Sequence, residues 1–193
     1  MKSRKLFKVC ALLMLAVMSC LLFSGCGGQS EQKKFVITYL PNESTDKNAD
    51  ARKGMAGDLS KVLGMEVTEL VSNDYNAVIE AMRTGKADMA YFGPLSFCLA
   101  YERAGAEPIG MIAKDKDKKN ATYKSVLVTS SKNTDINSIQ DIKGKTMAFV
   151  DPNSTSGNLI PSAAIMKAFP GEKLSMDDLH TNGKFFQAVS FSG

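Results

Sequence analysis

Val9 to Phe23 is apolar almost without a break, and the eight positions before it hold four basic residues and no acidic one. From Lys34 onward the apolar spacing switches between two periods. KFVITYL (34–40) predicts a strand, ended by Pro41. Over Asn48–Leu63 the residues Ala51, Met55, Leu59, Val62 and Leu63 keep a 3.6 period and Gly64 supplies a stop, which predicts a helix. EVTELV (66–71) alternates as a strand, and the Ser72-Asn73-Asp74 cluster caps a helix over Tyr75–Thr84, ended by Gly85. ADMAYF (87–92) predicts a third strand, Gly93-Pro94 a turn into a helix over Leu95–Ala104, and PIGMIA (108–113) a fourth strand. After the charged run KDKDKKN (114–120) a second set begins. It comprises a strand YKSVLVT (123–129), a short helix Ile136–Ile142 and a strand TMAFV (146–150). A helix from about Asn158 to Phe169, a helical turn at Met176–Asp178 and a strand FFQAVSF (185–191) follow.

This alternation with short links predicts an α/β fold whose parallel sheets are covered by helices. The charged run marks a boundary between a first lobe over 34–122 and a second over 123–193. The last strand is followed only by Ser192-Gly193, where the pattern should enter its next helix. A parallel strand without its crossover helix exposes a sheet face, so the expectation is a C-terminally truncated, incomplete second lobe.

Composition changes the picture only at the N-terminus. The hydrophobic fraction of 44% and charged fraction of 23% in 193 residues are those of a globular chain. The net charge of +4 comes from Lys2, Arg4, Lys5 and Lys8, in a segment without acidic residues. The remainder is balanced, which argues against a nucleic-acid footprint. The apolar run of roughly 15 residues is shorter than the about 20 of a membrane-spanning helix and suits a secretory signal over 1–25. Leu22-Phe23-Ser24-Gly25-Cys26 resembles a bacterial lipobox, with Phe23 where Leu is usual. The Gly/Ser/Gln-rich tether over 26–33 supports lipidation of Cys26 and a membrane-anchored, extracytoplasmic protein. Cys10 and Cys20 leave with the signal, so Cys98 alone remains and is expected as a small core residue.

Three segments share one design: a strand end, a loop of small or hydroxyl residues, and a helix start. They are Leu70–Tyr75, Ala90–Ser96 and Val150–Gly157. Ligands of open α/β sheets gather at strand carboxyl ends, and a helix N-terminus offers unpaired N–H groups to an anion. Ser154, Thr155 and Ser156 are three consecutive hydroxyls, more than a cap needs, and Gly157 permits close backbone approach. The GxxxxGK[ST] spacing of a P-loop is absent. Tyr39, Tyr75, Tyr91 and Tyr123 stand at predicted strand ends or helix starts, where each packs its ring in the core or joins others around an oxyanion. His180, the single histidine, lies in the polar stretch DDLHTNGK and is expected at the surface; no G-x-S-x-G elbow accompanies it. A hydrolase pairing Ser156 with His180 is therefore a distant reading, and Asp177 and Asp178 are expected to be solvated. No metal cluster, cofactor or enzymatic activity is indicated.

From Phe35 to Gly193 the sequence resembles the substrate-binding proteins of phosphonate, phosphite and phosphate ABC transporters (PhnD-type). Its most specific pieces are Asp151-Pro152-Asn153-Ser154-Thr155-Ser156-Gly157 and Ala87–Ser96, supported by Asp74-Tyr75 and Tyr123–Leu127. The resemblance implies a type II periplasmic-binding-protein-like fold, with two α/β lobes closing on a ligand cleft. It implies that Ser154, Thr155 and Ser156 grip the phosphonate oxygens. Tyr75, Tyr91, Tyr123 and the Gly93–Ser96 helix start line the same cleft, with Tyr39 and Asn42 after the first strand. ABC permease subunits are the implied partners. An extracytoplasmic sensor that presents an oxyanion to a signalling receptor is the alternative; a neighbouring kinase gene without a permease would favour it. Family members run to about 300 residues, consistent with two complete lobes.

Overall fold

A computed structural model describes residues 33–113 and 115–192. The expected signal, tether and Cys26 lie outside them. No helix among the described residues is long and apolar enough to cross a membrane.

The first half is built on β1 (Phe35–Tyr39), α1 (Ala49–Leu63), β2 (Val67–Leu70), α2 (Tyr75–Arg83), β3 (Met89–Tyr91) and α3 (Pro94–Ala104). The strands order β2-β1-β3, all parallel. Parallel pairing requires crossovers, which α1 and α2 provide, and it sends every strand's carboxyl end to one edge. There α2 and α3 begin, with Tyr39 and Tyr91 as register partners. Asp74 caps α2 by accepting from Ala77 N at 2.8 Å, and Gly64 and Gly105 end α1 and α3 in the left-handed conformation. Val78 and Leu40 pack with Tyr75, and Ile79 with Ala100 and Ala106.

The second half contains β4 (Thr146–Phe149), α4 (Ile160–Ala168), α5 (Met176–His180) and β5 (Ala188–Phe191), with β4 and β5 paired in parallel. Its core joins Phe149, Ile165, Leu179, Phe185 and Phe186. Each such buried side chain contributes roughly 1.5–3 kcal/mol relative to exposure. Between β4 and α4, Thr155–Leu159 forms a wide π-turn, with Leu159 N donating to Ser154 O at 3.0 Å.

Several elements differ from the sequence pattern. Pro108–Ala113 and Tyr123–Thr129 are not strands. Ile109 is 84% exposed and Val128 87%. An apolar, β-branched segment becomes a strand only against a partner, and among the described residues neither has one. Ile136–Ile142 reduces to one 3-10 turn at Ile139–Ile142. Phe185 and Phe186 do not extend β5; they form an edge-to-face pair 4.9 Å apart inside the core. The helix expected over 48–63 forms, but its apolar positions do not make a buried face: Ala51, Met55 and Leu63 are exposed, Val62 is 82% exposed, and no residue of α1 is buried. Cys98 is exposed, on the outer side of α3, and is not a core residue.

Candidate functional site

Two helix starts meet. At the first, Gly93 precedes α3 and Pro94 occupies its first turn, where a missing N–H costs nothing. The fully buried Ser96 hydroxyl accepts from Gly93 N at 3.0 Å and donates to Gly93 O at 3.1 Å. That closes the turn locally and leaves Leu95 N–H facing outward. At the second, Ser154 Oγ accepts from Gly157 N at 3.0 Å, and Ser154 N donates to Asp151 O at 2.9 Å. Gly157 has to be glycine: a Cβ there would stand 2.4 Å from Val150 Cγ2.

The two starts are joined by a hydroxyl. Leu95 N donates to Thr155 Oγ1 at 2.8 Å. A side chain on Gly93 would begin 3.5 Å from Thr155 Oγ1 and 3.8 Å from both Ser96 Oγ and Tyr123 OH. Gly93, Ser96, Thr155 and Tyr123 therefore share one small neighbourhood. Tyr75 joins it through Asp151, whose Oδ2 lies 3.4 Å from Tyr75 N and whose Oδ1 accepts from Asn153 N at 2.7 Å. The Tyr75 hydroxyl donates to Asn42 Oδ1 at 3.0 Å. Ser156 contributes its carbonyl, which accepts from Ser125 Oγ at 2.7 Å.

Electrostatics keep the phenols protonated. Burial pushes the Tyr75 phenol above its usual range; the adjacent Ser154 hydroxyl pulls it back, and the Asp151 carboxylate adds to the rise. Tyr91 is raised by burial first, then by Glu43 and Tyr123. Both remain O–H donors throughout the physiological range. Among the described residues no three His, Cys, Asp or Glu side chains gather as metal ligands would. The neighbourhood is one of hydroxyls and amides around a single buried carboxylate, Asp151, whose oxygens are engaged by Tyr75 N and Asn153 N. The hydroxyls and amides are the kind of donors that hold a small anion through charge-assisted hydrogen bonds.

Tyr39 lies elsewhere in its contacts. Its hydroxyl donates to Met55 Sδ at 3.6 Å, and the Arg52 guanidinium sits 5.8 Å from its ring centroid. An open depression of about 490 Å³ is lined by Leu70, Ser72, Asp74, Glu80, Thr84 and Lys86 among others; none of the hydroxyls from Ser154 to Ser156 lines it. The chemistry rather than the concavity marks the site.

Sequence reasoning missed two features. Asp151, only 3% exposed, touches the start of α2 from the other half of the molecule. His180 is not a surface residue: it is half-buried, and its Nε2 lies 2.7 Å from Asn158 Oδ1. The polar stretch around it masked this; the one signal was Leu179, an apolar residue that is fully buried beside it.

Comparison with known proteins supplies the family. The family described as "ABC transporter, phosphonate, periplasmic substrate-binding protein" matches residues 37–193. The chain is 31% identical over 157 residues to the "Phosphate-import protein PhnD" of Mycolicibacterium smegmatis, covering 76% of this chain and 49% of that one. It is 31% identical over 145 residues to the "Phosphonates-binding periplasmic protein" of Escherichia coli, covering 72% and 42%. A crystal structure of a binding protein component of an ABC phosphonate transporter from Pseudomonas aeruginosa superposes with a TM-score of 0.66 at 25% identity. That match covers 84% of this chain and 51% of the other. The chain spans about half the length of these relatives.

Proposed function

The chain belongs to the family of periplasmic substrate-binding proteins of ABC phosphonate transporters, whose members bind substrates rather than transform them, and from that premise we propose that it captures a small phosphorus oxyanion for an ABC permease. The observation that carries this reading is the bond from Leu95 N to Thr155 Oγ1. It sets an outward helix N-terminus of the first half against the hydroxyl loop of the second. An oxyanion between them would take the Leu95 N–H over from Thr155 Oγ1 and the Tyr75 O–H over from Asn42 Oδ1, and would accept from the hydroxyls of Ser154, Thr155 and Ser156 and from Tyr91 and Tyr123. Gly93 and Ser96 shape the α3 side; Asn42 orients the Tyr75 hydroxyl. The two sheets support a division into lobes over 34–122 and 123–193. Ligand that contacts both lobes favours the arrangement in which they meet. Affinity comes from neutral donors, which need no compensating cation.

The test is calorimetry of the mature protein from its native host with methylphosphonate, phosphite and phosphate. Ser154→Ala and Thr155→Ala should each weaken binding by about 1–3 kcal/mol, the cost of leaving a charged acceptor short of a donor. Unchanged affinity in both variants removes the site.

The finer reading is that Cys26 carries a lipid that holds the protein on the extracytoplasmic face of the membrane. The basic start, the apolar run and the tether after Cys26 support it. Cys26→Ser should move the protein from the membrane fraction to the soluble one; retention in the membrane overturns the anchor.

A further inference from the structure

Asn158 is 2% exposed and sits inside the wide turn that follows the hydroxyl loop. Its Nδ2 donates to Pro152 O at 2.8 Å. The opposite amide orientation would set oxygen against oxygen there, so Oδ1 points to the other side. At that oxygen two donors converge, Ser162 Oγ at 3.3 Å and His180 Nε2 at 2.7 Å. An amide oxygen only accepts, so Nε2 of His180 must carry the proton. The ring itself is held edge-on by Phe149 of β4, with centroids 5.1 Å apart, and by Phe191 of β5, at 5.3 Å. A continuous path thus runs from the β4–β5 sheet through His180 and Asn158 to the carbonyl of Pro152. Pro152 stands between Asp151 and Ser154, the residues that touch α2 and cap the loop.

We propose that His180 is a positioning residue for the oxyanion loop: without touching ligand, it fixes the Asn158 amide and so the orientation of the Ser154–Ser156 hydroxyls. Its effect on affinity rests on the oxyanion reading above; its effect on the loop does not. Burial holds the imidazole below its ordinary pKa, against the pull of Asp177, which keeps the ring neutral near pH 7. The protonated Nε2 then specifies one neutral tautomer.

Two variants separate bonding from packing. His180→Phe keeps an aromatic ring against Phe149 and Phe191 but has no donor. His180→Gln has less ring packing but keeps an N–H donor. The measurements are hydrogen exchange of the amides from 151 to 159 in ligand-free mature protein and calorimetric affinity for methylphosphonate. His180→Phe should speed exchange across that segment and weaken binding about tenfold, a typical coupling between linked sites. His180→Gln should restore both. Wild-type behaviour of His180→Phe in both readouts overturns the proposal, as does failure of His180→Gln to restore either. ¹⁵N NMR of the wild-type imidazole decides the matter even if a variant does not fold: an Nδ1–H tautomer overturns it, an Nε2–H tautomer supports it. If the wild type binds none of methylphosphonate, phosphite and phosphate, the oxyanion reading falls, and the exchange comparison alone judges the brace.

Discussion

At the start of α3 a single hydroxyl, Ser96 Oγ, closes the turn by bonding both backbone groups of Gly93 three residues away. The hydroxyl loop facing it has a local cap of the same kind, Gly157 N to Ser154 Oγ, but is also held from much farther along the chain. Ser125 reaches Ser156 O across 31 positions, Leu95 N reaches Thr155 across 60, and His180 reaches Asn158 across 22. One helix start is written locally; the other is assembled from several segments. The first should tolerate changes elsewhere in the molecule, whereas the second should report on them.

The glycines give the sharpest break of this comparison. Gly157→Ala drives a methyl into Val150, next to the main chain. Such overpacking costs about 1–3 kcal/mol or more, read as a lower Tm. Gly93→Ala meets only ordinary contacts at 3.5 Å and beyond, so its stability should stay within about 0.5 kcal/mol of wild type and its Tm should barely move. Its methyl lies among Thr155, Ser96 and Tyr123, so methylphosphonate affinity should fall instead. Equal melting of the two variants would erase the distinction between the two starts.

Caps give a smaller effect. Ser96→Ala strands Gly93 N–H in a buried turn, and Ser154→Ala strands Gly157 N–H; each should cost about 1 kcal/mol of stability in denaturant titration. If the loop is held from a distance, Ser154→Ala should lose more affinity than stability, whereas Ser96→Ala should lose both.

The smallest effect is in pH. Burial lowers the folded-state pKa of His180, while Asp177 opposes the shift. Above the unfolded value of about 6.5 both states are neutral and the stability is fully present. As pH falls from there through the folded pKa, the unfolded state binds the proton first and stability declines. His180→Gln should flatten that part of the melting curve against pH; an unchanged slope would place the titration elsewhere.

The same contrast explains what was legible in the sequence. The β1–β3 alternation, the Asp74 cap, the Gly93-Pro94 turn and the run of hydroxyls are local patterns, and each appears within a few residues of its expected place. Pro108–Ala113 and Tyr123–Thr129 carry strand composition, but a ladder needs a second strand that no local pattern can supply. The burial of His180 is hidden from the sequence for the same reason. Its neighbours in sequence are polar, and its neighbours in space, Phe149, Phe191 and Asn158, come from three other segments.

Every ladder in both sheets is parallel. Lys34 and Glu66, flanking the β1–β2 pairing, are 32 residues apart, and Phe149 and Ser192, beside the β4–β5 pairing, are 43 apart. No hairpin can therefore nucleate either sheet, and the crossover helices must be gathered before a first strand pair closes. Loop-closure entropy is paid ahead of any reward from pairing, which places folding nearer milliseconds to seconds than microseconds. During that interval the newly made chain keeps the apolar faces of its strands and helices unburied.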